Sequence, residues 1–155
     1  MGGVLFVTTT VTGNITTGED TLATYTVPAS TLAVNNDSLW FEATGTISNS
    51  ATATRTLRVK WGSETVATFA LSTIGSLTGF WKITGRIIRT GAATQIGQAT
   101  RAMRLGTVPT TDHDFNTGLT RTLSSSQALA ITGEATLTDD LTLDSFIIGW
   151  DSANS

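Results

Sequence analysis

Apolar and polar residues alternate in short runs along most of this chain, and each run stops at a turn residue. From Asp20 onward the runs follow one another at near-regular spacing. Thr21 to Val27 alternates until Pro28, which cannot donate to a ladder. Ser38 to Ile47 follows the turn signal Asn35-Asn36-Asp37, with Leu39, Phe41 and Ala43 on one face and Trp40 and Glu42 on the other. Thr54 to Trp61 is the cleanest run. There Leu57, Val59 and Trp61 oppose Thr56, Arg58 and Lys60, the half-buried pattern of an antiparallel sheet. Gly62-Ser63 is a tight connection, so Glu64 to Leu71 is expected to return as the hairpin partner. Phe80 to Thr90 places Trp81, Ile83 and Ile87 on one face. Adjacent Ile87 and Ile88 interrupt the alternation, which predicts a bulge or burial on both faces near Gly85. Gln95 to Arg104 pairs with that strand across Gly91-Ala92-Ala93, and Gln127 to Gly133 and Ser145 to Trp150 complete the set. Leu105 to Ser126 has the least regular pattern and is expected to be a long loop with a short strand inside it.

Helical periodicity of any length is missing, because few segments repeat apolar residues at three and four and glycine interrupts most of them. About eight short strands at near-regular spacing predict an all-β fold, an antiparallel β-sandwich of jelly-roll-like winding. Ahead of them, Met1 to Gly18 is glycine-bounded and threonine-rich. It carries Val4, Leu5, Phe6 and Val7 together, then Val11 and Ile15. A disordered tail seldom has such an apolar cluster. Residues 1–18 are therefore read as an extended N-terminal arm that orders against the domain or a neighbour, with a strand of the domain itself as the alternative. Residues 19–155 form the single sandwich domain.

Composition sharpens this picture. Threonine occurs in almost every segment, while Cys is 0, His is 1 and charged residues make up 14%. Threonine is β-branched and carries a hydroxyl, so it favours a pleated strand and lets one side of that strand face water without charge. A chain of 155 residues fits one domain, which at that size removes about 70% of its unfolded surface from water without a disulfide or metal staple. The start MGGVLFVTTT lacks a basic n-region, and its apolar stretch is too short for a signal peptide or a membrane span. Synthesis in a cytoplasm without processing is the expectation. The formal charge of -3 disfavours the phosphate-tracking surface of a nucleic-acid binder. A mean hydropathy of +0.11 with so few charges points to surface covered by other subunits.

The candidate chemistry is thin. His113 lies between Asp112 and Asp114, but neighbours in an extended segment point to opposite faces and no Gly-x-Ser-x-Gly elbow is present, so a solvated loop is expected. Asp139, Asp140 and Asp144 are oxygen-rich but lack calcium-loop spacing and read as a turn before the last strand. No catalytic residue, metal ligand or cofactor site is assigned. Trp61, Trp81 and Trp150 fall on the apolar faces of their strands and are expected in the core. Trp40 falls on the opposite face from Leu39 and Phe41, where burial in the second face of a sandwich edge is the expectation and an interface or glycan residue the alternative. Arg86, Arg89, Arg101 and Arg104 lie in the paired strands around Gly91 and are read as one cluster, a solvated sheet face or, more sharply, a candidate contact with an acidic neighbouring subunit. With Val4, Leu5, Phe6, Val7 and Val11 of the arm, they and Trp40 form the candidate interface set.

Four short motifs occur in order: Gly18 to Leu22 (Gly-Glu-x-Thr-Leu), Pro28 to Leu32 (Pro-Ala-x-Thr-Leu), Ala43 to Thr46 (Ala-x-Gly-Thr) and Arg89 to Ala92 (Arg-Thr-Gly-Ala). With them, Thr16 to Gln98 resembles a β-sandwich module of virion proteins from tailed bacteriophages and prophages. The motifs mark turns and strand ends and bring no catalytic motif with them. The resemblance implies tail-fibre, receptor-binding, capsid-decoration or head-fibre proteins, frequently trimers. A single module without a shaft or coiled coil departs from a fibre. The leading expectation is a non-enzymatic decoration (cement) protein on the capsid exterior, with the major capsid protein and two further copies of itself as partners, and with neither nucleic acid nor membrane. The alternative is a tail-tip or fibre adhesin that recognises host-surface glycan through loops at one end of the sandwich. A cell-wall polysaccharide hydrolase is disfavoured by the lack of paired carboxylates in a defined strand context.

Overall fold

Alternation along the chain becomes alternation of burial. In the run Ser38–Ile47 the odd-numbered residues Leu39, Phe41, Ala43 and Ile47 are buried, and Trp40, Glu42, Thr44 and Thr46 are half-buried on the other side. Arg55–Trp61 alternates without a break. The computed structural model describes residues 2–15, 17–48, 54–71 and 78–154. Among these the strands are β1 Gly3–Thr8, β2 Thr12–Gly13, β3 Glu19–Val27, β4 Ser38–Ile47, β5 Arg55–Trp61 and β6 Glu64–Leu71. They continue as β7 Gly79–Gly91, β8 Thr94–Leu105, β9 Val108–Leu119, β10 Gln127–Ala135 and β11 Leu141–Asp151. All eight expected runs are strands, and every pairing is antiparallel.

The strands form two sheets. The larger runs β1-β11-β4-β7-β8-β9, with β2 also on β11, and the smaller runs β3-β10-β5-β6. If β2 and the β8–β9 hairpin are set aside, the orders β1-β11-β4-β7 and β3-β10-β5-β6 are those of a jelly roll, two interlocked Greek keys. The hairpin is inserted between β7 and β10 and widens one sheet. The eight strands of the roll are thus not the eight read from alternation: β1 belongs to the roll and β8 to the insertion. The inner faces meet in one core built on Trp61, Trp81, Phe41, Phe69 and Phe146.

Three differences from the sequence reading have physical causes. Val108–Leu119, expected as loop, is a full edge strand. Its side chains are mostly exposed or half-buried and polar on both sides, so it has no apolar period to read. Pro109 is tolerated near its start because an edge strand can spare an N–H. Near Gly85 the ladder is continuous, and the register shift lies at Arg89/Gly91. Ile87 and Ile88 simply take opposite faces, one buried and one half-buried. Gly85 is needed for another reason: a Cβ there would collide with the Phe41 ring and the Gln98 carbonyl. Finally, residues 3–8 lie along β11 as the first strand of the roll. Phe6 stacks on Tyr25 at 4.9 Å between ring centroids and meets Phe146 edge-on at 6.3 Å.

Candidate functional site

The outward face of the larger sheet carries two rows of side chains set by strand register. One row runs Gly149, Trp40, Arg86, Gln98, Phe115 across β11, β4, β7, β8 and β9. The next runs Ile147, Glu42, Thr84, Thr100, His113. Between and along them lies an open groove of about 600 Å³. The Trp40 indole lies across Gly149, where a Cβ would collide with it. Trp40 is therefore a half-buried surface residue of this face, neither core nor fully solvated. Arg86 donates to Ser38 Oγ at 2.9 Å and to Asp151 Oδ2 at 3.2 Å, which holds the guanidinium along the sheet. Thr100 Oγ1 and His113 Nδ1 are 2.8 Å apart, and Phe115 stands 70% exposed.

His113 faces outward while Asp114 faces β6, as alternation requires. Asp114 Oδ2 accepts from the Thr68 N–H at 2.8 Å, and Asn116 Nδ2 donates to the Thr65 carbonyl at 2.9 Å. This stretch is thus a stitched sheet edge. Among the described residues, no three of His, Cys, Asp and Glu gather where they could hold a metal ion.

The four arginines do not form one cluster. Arg86 and Arg104 point outward at different rows, the former paired with Asp151 and the latter donating to the Gly106 carbonyl at 3.2 Å. Arg89 Nη1 donates to the Leu32 and Ala33 carbonyls at 2.7 and 2.6 Å, pinning the β3–β4 loop. Arg101 faces inward and is buried, and that burial pulls its pKa below the usual arginine value against the attraction of Asp112. Strand spacing by two separates 86 and 104 from 89 and 101, a consequence of pleating that the sequence already contained. Of the four tryptophans, Trp61 and Trp81 are fully buried and Trp150 is half-buried against the core.

Two structural carboxylates carry more than their sequence context suggested. Asp37 is buried and accepts from the Ala33, Val34 and Ala153 N–H groups, at 2.8, 2.9 and 2.8 Å. Burial works to raise its pKa, but these three hydrogen bonds and the nearby Arg89 outweigh it and hold the carboxyl below the usual aspartate value. Asp140 takes a two-point bond from Arg55, at 2.7 and 3.1 Å, and also accepts from Ser48 Oγ. The turn Asp139-Asp140 therefore holds a buried ion pair, and Asp144 lies apart from it on β11.

The free edge of β1 completes the inventory. Its sequence GVLFVT has no charge and no proline. Leu5 and Phe6 are half-buried against the core, whereas Val4 and Val7 are 60% and 56% exposed, and Val11 and Ile15 beyond the strand are exposed as well. The other edges are blunted: β3 starts with Glu19-Asp20, and β9 carries Pro109, Asp112 and Asp114 and packs beside β6.

Neither a family model nor a curated protein sequence matches this chain. Among solved structures, the chain is similar to the CBM2 module of the evolved Dit of Lactobacillus casei BL23 phage J-1. The two share 14% sequence identity and a TM-score of 0.38, over 82% of this chain and 67% of that one.

Proposed function

We propose that this protein is a non-enzymatic structural component of a tailed-bacteriophage virion, a decoration (cement) protein on the capsid exterior. Its partners are the major capsid protein and two further copies of itself. The observation that carries this reading is the β1 edge, which no strand among the described residues covers, with Val4, Val7, Val11 and Ile15 exposed around it. An extended segment of a shell subunit can add to such an edge as a further strand, gaining main-chain hydrogen bonds and apolar burial together. The motifs from Gly18 to Ala92 support the virion setting. Contact made only in the assembled shell stabilises only the assembled shell, by the linkage that makes any ligand of a native state stabilising. The low-charge, threonine-rich surface permits close packing with little charge desolvation.

Titration of the purified protein onto capsids that lack it tests this directly. Saturable binding with a raised capsid disruption temperature is expected, and a Val4→Asp/Val7→Asp double variant should bind at least about tenfold more weakly while keeping its melting temperature. No binding at micromolar concentration refutes the proposal.

A further inference from the structure

The groove on the outward face of the larger sheet is separated from β1 by β11, and its chemistry is specific. We propose that it is a binding site for a neutral oligosaccharide. Trp40 stands at one end and Phe115 at the other of a single cross-strand row. Three strand spacings separate them, about 14 Å, which is longer than one hexose ring and accommodates a short chain of sugars. Each aromatic ring offers a flat apolar surface on which the C–H face of a pyranose stacks. Trp40 is held against Gly149, a placement any larger residue at position 149 would block.

Between the two rings the floor is made of groups that hydrogen-bond in a plane. Arg86 is oriented by Ser38 and Asp151 and keeps guanidinium donors to spare. The exposed Gln98 side chain makes no hydrogen bond among the described residues and presents both an acceptor and two donors. His113 has its Nδ1 engaged by Thr100, so Nε2 points free. Vicinal hydroxyls of a sugar pair well with such bidentate partners. The volume of about 600 Å³ is that of a ligand site.

Charge selects among ligands. In the groove Glu42 is paired with Lys82 at 3.0 Å and Asp151 with Arg86 at 3.2 Å, while the Asp114 carboxylate turns away to β6, so the face offers no excess of positive charge to a polyanion and suits a neutral saccharide. This assignment does not rest on shell attachment: Val4 reaches the row of Trp40 only across Gly149 of β11, whereas Gln98 and Phe115 lie on β8 and β9 at the far side of the sheet, so Gln98→Ala and Phe115→Ala test the groove without touching β1.

The test uses the full isotopically labelled chain. A panel of neutral di- to tetrasaccharides in gluco, galacto, manno and rhamno configurations is titrated to millimolar concentration, with a heparin oligosaccharide as the polyanion control. Saturable resonance shifts confined to the Trp40 indole, the Gln98 side-chain amide, His113 and Phe115 are expected for at least one neutral member. Gln98→Ala, at an exposed position, should weaken that binding about tenfold without changing the melting temperature, and Trp40→Ala should weaken it at least as much. Three outcomes of the titrations overturn the proposal. They are no shifts from any neutral member, equal affinity in the Gln98→Ala and Phe115→Ala variants, or tighter binding of heparin. Concentration-dependent broadening of the same resonances without sugar also overturns it and makes the face a contact between copies of the chain.

Discussion

Asp37 shows how a single residue can act through the backbone. The sequence reading placed it in a turn, and the fold gives it three main-chain donors from two separate segments, the β3–β4 loop and the chain end at Ala153. Because its folded pKa is depressed, the native state binds a proton less readily than the unfolded chain. The stabilisation it contributes is therefore full above the unfolded aspartate value near pH 4 and is lost as pH falls through the lower, folded value. Asp37→Asn should melt below the parent protein at neutral pH, with the gap in melting temperature closing as the pH drops below about 4. A gap that stays constant with pH would assign the effect to packing. Of the interface residues named from sequence, Val4 and Val7 are both exposed because a bulge between Val4 and Phe6 turns positions of opposite parity to one face, and Trp40 is half-buried on the outward face. Arg101 lies inward and buried, so the single arginine cluster combined inward and outward positions.

At the scale of the element, β1 and β9 are the instructive strands. Both are sheet edges, and neither has a full apolar period, so the sequence leaves one open between an ordered arm and a strand of the domain and reads the other as a loop with a short strand inside it. β1 does two jobs. Phe6 closes the sandwich against Tyr25 and Phe146, while Val4 and Val7 face out. Removing residues 1–12 would therefore strip a strand from the roll and confuse attachment with folding. Point changes separate the two: Phe6→Ala should lower unfolding free energy by about 2 kcal/mol in a denaturant titration. Val4→Asp/Val7→Asp should leave unfolding nearly unchanged, and a large loss of stability there would show the outward face to be structural. The hairpin insertion of β8 and β9 supplies half of the groove, so the same strand that hid from the sequence pattern carries His113 and Phe115.

For the whole molecule, the jelly roll is held at one end by a bond between its sheets. Arg55 opens β5 of the smaller sheet, and Asp140 immediately precedes β11 of the larger, with Ser48, just past β4, bonded to both. Both charged side chains are almost wholly buried. Loss of one partner leaves the other charge without compensation in a dry site, a cost of about 3–5 kcal/mol. Arg55→Met should lower the melting temperature by roughly 10 °C, and adding Asp140→Leu should recover much of that loss. Failure of the double variant to recover would mean that the pair fixes the register of the sheets as well as its own charges. What the sequence by itself determined was local: the identity of the eight alternating strands, the inward faces marked by Leu57, Val59 and Trp61, and the poverty of catalytic groups. Each follows from a period of two along a pleated backbone or from composition. Only the tertiary structure decided which strands pair, which edge stays open, that Arg55 meets Asp140, and that Trp40, Arg86, Gln98, His113 and Phe115 share one face. Those contacts join residues far apart in the chain, and they are selected by the closing of two sheets over one core, which no local period encodes.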